Sequence, residues 1–379
     1  MSLLSPVWLS PVDFLRARRP EEPIMCFCPA ALQDQAARFL SGFPGLVTYA
    51  VKSNPDISVI RNLLEAGIST FDVASPFEIS LIRRLAPEAV LHYNNPVRSN
   101  AEIVHGLEAG VASWSVDSIS ELRKLEALLP REGLEVAVRF KLPVAGAAYD
   151  FGAKFGADGD VAAALLRRVA QQGFRPSLTF HPGTQCTDPS AWEAYVRAAA
   201  RISARAGVTI VRLNVGGGFP SHRKAGEPPA LDQIFARIAT VAADAFEEPP
   251  ILICEPGRSM VADAFAQIAM VKALRDGTHV FLNDGIYGGL SELAVIGNID
   301  RIDFFSPDGF RRKGQAAPRI VFGPTCDSLD RLPQEVLVPQ DVQEGDFVLF
   351  RGVGAYSTIL STRFNGYGLG GAVTVSRLS

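Results

Sequence analysis

The chain has 379 residues, 47% apolar and 20% charged, which excludes a disordered or fibrous polymer and leaves room for one large core or two domains. Lys and Arg number 37 against 40 Asp and Glu, and no basic run exceeds Arg311-Arg312-Lys313, so no nucleic-acid partner is expected. Five scattered cysteines without a C-x-x-C pair or zinc-type spacing predict a reducing compartment and no metal site.

The first twenty residues are broken by Pro6, Pro11 and Asp13. No stretch reaches the ~18 apolar residues of a membrane span, so a cytoplasmic protein away from membranes is expected. From Leu46 the chain alternates short β-branched or aromatic runs with amphipathic helical stretches. The runs begin at Leu46, Ser69, Val90, Ala112, Glu135, Arg175, Thr209 and Pro250. The helical stretches are Ile57 to Ala66, Pro76 to Leu85, Ala101 to Ala109, Ile119 to Leu129, Val161 to Gln172, Ala191 to Ala206 and Leu231 to Ala243.

Eight strand-then-helix units predict an α/β protein with a (β/α)8 TIM barrel. An open doubly wound sheet has the same alternation, but no G-x-G-x-x-G turn follows Lys52. After Met260, runs such as HVFLNDGIYGG, RIVFGPTC and FVLFRGVGAYSTI are separated by Gly, Pro and Asp, which predicts an all-β C-terminal domain. The charged segment from Asn298 to Pro318 reads as a surface loop.

In such a barrel the chemistry gathers where the strands end. The runs end in Lys52, in Asp72 with Glu78, in His92 with Asn94 and Asn95, in Arg139, in His181, in Asn214 before Gly216-Gly217-Gly218, and in Glu255 with Arg258. Lys52 after LVTYAV must snorkel, pair with Asp72 or Glu255, or serve as a reactive amine. The glycine run is a flexible turn or a set of bare N–H groups for a phosphate, with Arg258 as a second anchor. His181 is an ordinary hydrogen-bonded histidine or a ring that stacks on a cofactor. Glu255 needs a partner, either Arg258 or a protonated ring nitrogen. An amine, a phosphate cradle, a stacking ring and a carboxylate together point to pyridoxal 5'-phosphate.

The motifs YAVKSNP from Tyr49, FDVAS with Glu78, HPGTQ from His181, GGGFP from Gly216, EPGR from Glu255, NDGIYG from Asn283, GPTCDSLD from Gly323, and GAY and FNG from Gly354 and Phe364 resemble, in order, the fold-type III pyridoxal-phosphate decarboxylases. These are the ornithine, arginine and diaminopimelate decarboxylases, built as an alanine racemase-like barrel followed by a β-domain. The resemblance implies a cofactor-binding barrel over 25–262 and a β-domain over 263–379, which 1–24 joins. It implies that Lys52 links the cofactor, that Glu255 partners the pyridine nitrogen, and that His181 stacks on the ring. Thr184, Gly217, Gly218, Gly257, Arg258 and Tyr356 correspond to the phosphate shell, and Asp72, Glu78 and Arg139 to a polar network behind the lysine. Cys326 and Asp327 match residues that reach the neighbouring subunit's site, which implies a homodimer with shared sites.

The C-D-x-L-D form of GPTCDSLD is similar to ornithine decarboxylases, with lysine or diaminopimelate as alternative substrates and Asp327, Tyr287 and Phe364 as substrate contacts. The acid expected after NDGIYG is missing at Ile296, which leaves Asp300 or Glu292 for the distal ammonium. The same resemblance allows an inactive regulatory homologue or a racemase. The presence of Lys52 with Cys326 argues against the first, and the Cys-Asp pair against the second.

Overall fold

A computed structural model describes residues 6–142, 154–297 and 299–378. It divides into two compact units, one of Ala36–Pro220 with Pro229–Gly257 and the other of Met1–Gln35, Ser221–Pro228 and Arg258–Ser379. Against the boundaries at 25 and 262, residues 25–35, 221–228 and 258–262 fall with the second unit. One reason is that the strand Ile24–Phe27 pairs with Phe265–Ile268 of that unit's sheet.

The first unit is a closed ring of parallel strands. Leu46–Val47 and Tyr49–Ala50 form one interrupted strand, followed by Thr70–Val73, Val90–Tyr93, Ser113–Val116, Glu135–Arg139, Arg175–Thr179, Arg212–Asn214 and Ile251–Cys254. The last strand pairs with the first through Ile253 and Leu46, which closes the barrel. Thr70–Val73 and Ser113–Val116 are buried at every position, as strands covered on both faces must be. Helix starts are set by side chains that accept the first free N–H groups. Ser75 caps Pro76–Leu85, Ser118 caps Ile119–Leu128, and Ser99 with Glu102 makes a capping box for Asn100–Glu108.

The helix Pro29–Gly42, unforeseen from the sequence, precedes the first strand and packs Phe39 against Phe219 and Phe235 at ring distances of 5.6 and 5.2 Å. Where the strands begin, Glu135 pairs with Arg212 at 3.1 Å and accepts from Ser113.

The second unit is a mixed sheet around the long strand Phe265–Arg275, which pairs antiparallel with Ile24–Phe27, His279–Leu282 and Phe347–Arg351. Its core includes Phe14, Leu15, Cys26, Ile268, Phe305 and Leu349. The loop expected from Asn298 to Pro318 is partly a strand. Ile302–Phe305 pairs with Phe347–Phe350 and buries Phe304 and Phe305. Its charges read as solvated, but Asp303 is paired with Arg351 and Arg311, so the strand keeps its aromatic side chains inside. Among the described residues no helix is long and apolar enough to cross a membrane.

Candidate active site

In the barrel unit the first strand breaks into a 3-10 turn, Val51–Ser53, that carries Lys52. Local bonds fix the turn: Ser53 Oγ donates to Ala50 O at 2.8 Å, and Tyr49 Oη donates to Asn54 O at 3.0 Å. A Cβ at Gly257 would lie 3.1 Å from Ser53 Cβ and 3.2 Å from Ala50 Cβ, so a bare backbone is needed beside the lysine turn. Lys52 Nζ stands 3.9 Å from Asp72 Oδ2, with the lysine side chain 47% exposed and the aspartate side chain 3%. The pairing expected from the sequence is present, and the lysine head remains accessible.

Glu255 ends the eighth strand and is buried. Asn94 and Asn214 both donate to its Oε1. Burial and then the nearby Asp72 push the Glu255 carboxyl above its ordinary range, while Lys52, the Asn214 bond and Arg139 pull it back. Burial raises Asp72 as well, opposed by Lys52, Asn94 and Arg139. Arg139, buried in its turn, is lowered by desolvation and sustained by Glu255, Asp117 and Asp72. Glu78 accepts from the Ala74 N–H at 2.7 Å, and burial raises it to about 7. Two carboxylates, a lysine and an arginine therefore share one dry, coupled field.

His181 Nδ1 accepts from the Gly183 N–H at 3.1 Å. Burial, with Arg139 and Lys52, holds the ring well below its ordinary pKa, so it is neutral with its proton on Nε2. Gly216 and Gly218 have φ of +71° and +82°. A Cβ at Gly217 would lie 2.7 Å from Glu255 O and 3.3 Å from His181 Nε2, and one at Gly218 would collide with Gly183 O. The Cys186 N–H donates to Gly218 O at 2.9 Å. The loop that carries His181 and Thr184 thus lies against the glycine run.

The second unit carries the remaining expected residues. The Arg258 guanidinium lies 5.0 Å from the centre of the Tyr356 ring and is paired with Glu292, which also takes Arg223 at 3.3 Å. Tyr356 holds a left-handed φ of 63°. Tyr287 Oη donates to Asp327 Oδ2 at 2.5 Å, and the Tyr287 ring lies 5.1 Å from that of Phe364. The Tyr287 hydrogen bond holds the Asp327 carboxyl below its usual range. Cys326 is exposed and donates both its N–H and its thiol to Asn365 Oδ1, at 3.1 and 3.2 Å. Asp300 accepts from the Ala225 N–H at 2.5 Å and stands 4.0 Å from Lys224 Nζ.

A family profile described as the pyridoxal-binding domain of pyridoxal-dependent decarboxylases matches residues 30–262. The chain belongs to this family. It is 29% identical over 348 residues to an ornithine decarboxylase of Panagrellus redivivus, covering 84% of this chain and 77% of that one. It is 30% identical over 339 residues to ornithine decarboxylase 2 of Drosophila melanogaster, covering 84% and 82%. An antizyme inhibitor 2 of Xenopus laevis shares 29% over 87% of this chain and 76% of that one. Among solved structures, the lysine/ornithine decarboxylase of Vibrio vulnificus with cadaverine superposes with a TM-score of 0.83 at 26% identity, covering 97% and 100%.

The protein is a pyridoxal-phosphate-dependent decarboxylase, and its residues fit that cofactor. The backbone at Gly217 and Gly218 has no room for a side chain, as a bare-amide cradle for a phosphate requires. A buried carboxylate at Glu255 suits a protonated ring nitrogen.

Several contacts of the site escaped the sequence reading. Asn94 and Asn214 stood at strand ends, yet nothing in the linear order says that both amides reach one oxygen of Glu255. The Arg223–Glu292 pair joins positions 69 residues apart. Asp300 and Glu292, expected at the substrate, make their described contacts with Ala225 and Lys224, and with Arg223 and Arg258, respectively.

Proposed function

We propose that this enzyme decarboxylates a basic L-amino acid, L-ornithine ahead of L-lysine, giving putrescine or cadaverine and carbon dioxide. The observation that carries the reading is the Asp327–Tyr287–Phe364 cluster. An ionised carboxylate, steadied by a phenol and flanked by an aromatic ring, suits a distal ammonium and its methylene stem. The names of the relatives point to the same substrate class. A distal carboxylate, as in diaminopimelate, would meet Asp327 as a like charge. Ornithine and lysine differ by one methylene, worth only ~1 to 3 kcal/mol, so some activity on both is expected.

Bound to Lys52, the cofactor supplies an electron sink for the bond broken when carbon dioxide leaves. Glu255 would hold a proton on the ring nitrogen, His181 would stack on the ring, and Asp72, Glu78 and Arg139 would form the polar network behind Lys52. Gly217, Gly218 and Thr184 would cradle the phosphate. The Cα–carboxylate bond breaks, and the Cys326 thiol delivers a proton to Cα, to be replenished from solvent. We assign Cys326 and Asp327 to the site of a second chain in a homodimer, supported by the exposure of Cys326 and by the C-D-x-L-D motif. The five free cysteines suit a cytoplasmic setting.

The test is kcat/KM for L-ornithine, L-lysine, L-arginine and meso-diaminopimelate, with the amine product identified. Highest efficiency on ornithine supports the reading. Highest efficiency on diaminopimelate, or no carbon dioxide from any of the four, overturns it.

A further inference from the structure

Within the barrel unit, Asn94 is an uncharged side chain beside both buried carboxylates of the site, Asp72 and Glu255. Its amide donates to Glu255 Oε1, and Asn94 opposes the rise that burial imposes on Asp72. Asn214 reaches the same Glu255 oxygen, its own orientation fixed because its Oδ1 accepts from the Gly216 N–H at 2.9 Å. The other oxygen, Oε2, is engaged by neither amide.

The segment that presents Asn94 is held from behind. Arg98 donates to Tyr93 O at 3.0 Å and to Asn95 O at 2.8 Å, and Ser115 Oγ donates to Asn94 O at 2.8 Å. Three consecutive carbonyls are thereby fixed. Arg98 is itself buried, with its guanidinium 5.1 Å from the Tyr93 ring centre and 5.5 Å from that of Trp114. A buried cation spent on backbone carbonyls is costly unless the geometry it fixes is needed.

We infer that Asn94, anchored by Arg98 and Ser115, is a positioning residue that keeps Glu255 ionised and directs its free oxygen to the single N–H of the cofactor ring. Two neighbouring carboxylates repel in a dry site, and each then tends to take up a proton. The Asn94 amide N–H on Glu255 opposes that uptake without adding charge. A protonated Glu255 would accept poorly from the ring nitrogen, and the electron sink would become shallower. The inference rests on the role proposed above for Glu255.

The test uses cofactor-free and cofactor-loaded protein of wild type, Asn94→Ala, Asn94→Ser and Glu255→Gln. In cofactor-free protein with 13C-labelled glutamate, the Glu255 carboxyl resonance is identified by its loss in Glu255→Gln and titrated. Asn94→Ala should raise its midpoint by about one pH unit, the worth of one lost hydrogen bond to a carboxylate. Asn94→Ser, which keeps a donor, should recover part of the shift. In loaded protein Asn94→Ala should lower kcat by about 10-fold with KM within about threefold, and should move the pH dependence of the cofactor absorbance in the same direction. An unchanged Glu255 midpoint in Asn94→Ala overturns the inference. Glu255→Gln with wild-type kcat overturns instead the role given to Glu255, whatever Asn94→Ala shows.

Discussion

The two units carry their share of the chemistry in opposite ways. In the barrel unit the reactive groups are packed at strand ends and answer to each other: Asp72 and Glu255 are buried, Arg139 and His181 are partly buried beside them, and each shifts its neighbours' charge. In the sheet unit Cys326 is exposed, Asp327 is half-buried, and Leu329 between them and the buried Asp330 is 68% exposed. The first arrangement is preorganised inside one chain by desolvation and hydrogen bonds. The second presents an acid and a thiol outward on a turn, as a group offered to another surface would be. Burial can tune a charge, whereas exposure allows it to be lent.

The comparison is tested most strongly at the lysine. Lys52→Ala should lower kcat by about 10³-fold or more, because the amine is the proposed covalent anchor of the cofactor. Borohydride reduction of wild type should attach the cofactor to the peptide containing Lys52, and attachment elsewhere would undo the assignment of the barrel site. Mixing inactive Lys52→Ala chains with inactive Cys326→Ala chains should restore about a quarter of the sites after random exchange, the share expected of a two-fold dimer in which each site draws on both chains. No recovery after verified exchange would confine both residues to one chain.

Asp327→Ala should lower kcat/KM for ornithine by about 10- to 100-fold through loss of a charged partner. Its unfolding free energy should shift by no more than ~0.5 kcal/mol, as expected of a residue on a surface turn. Equal efficiency on ornithine in the variant would sever Asp327 from the substrate.

The smallest effect concerns Glu78. Its folded-state pKa, about 7, lies above the ordinary value of 4.5, so between those values the folded state binds more protons than the unfolded one, and stability falls as pH rises through the window. Urea unfolding of cofactor-free protein between pH 4.5 and 7 should show a decline that Glu78→Gln reduces by about 1 to 2 kcal/mol. An identical pH slope in the variant would mean that Glu78 is solvated.

Strands and helices of the barrel were legible because short β-branched or aromatic runs alternate with amphipathic helical stretches, a local property that survives in the linear order. The helix Pro76–Leu85 and its Ser75 cap, for example, follow from a handful of neighbouring residues. The strand Ile302–Phe305 was hidden because its charges are neutralised by Arg311 and Arg351, one of them nearly fifty residues away. The site divides in the same way. The sequence by itself determined which chemical groups stand at the strand ends, since motif and spacing place Lys52, His181 and Glu255 there. Only the tertiary structure decided that Asn94 and Asn214 meet on one oxygen of Glu255, and that Glu292 is taken by two arginines. Such pairings depend on distance and burial, and a dry interior fixes the charge of each group through neighbours that the chain order leaves far apart.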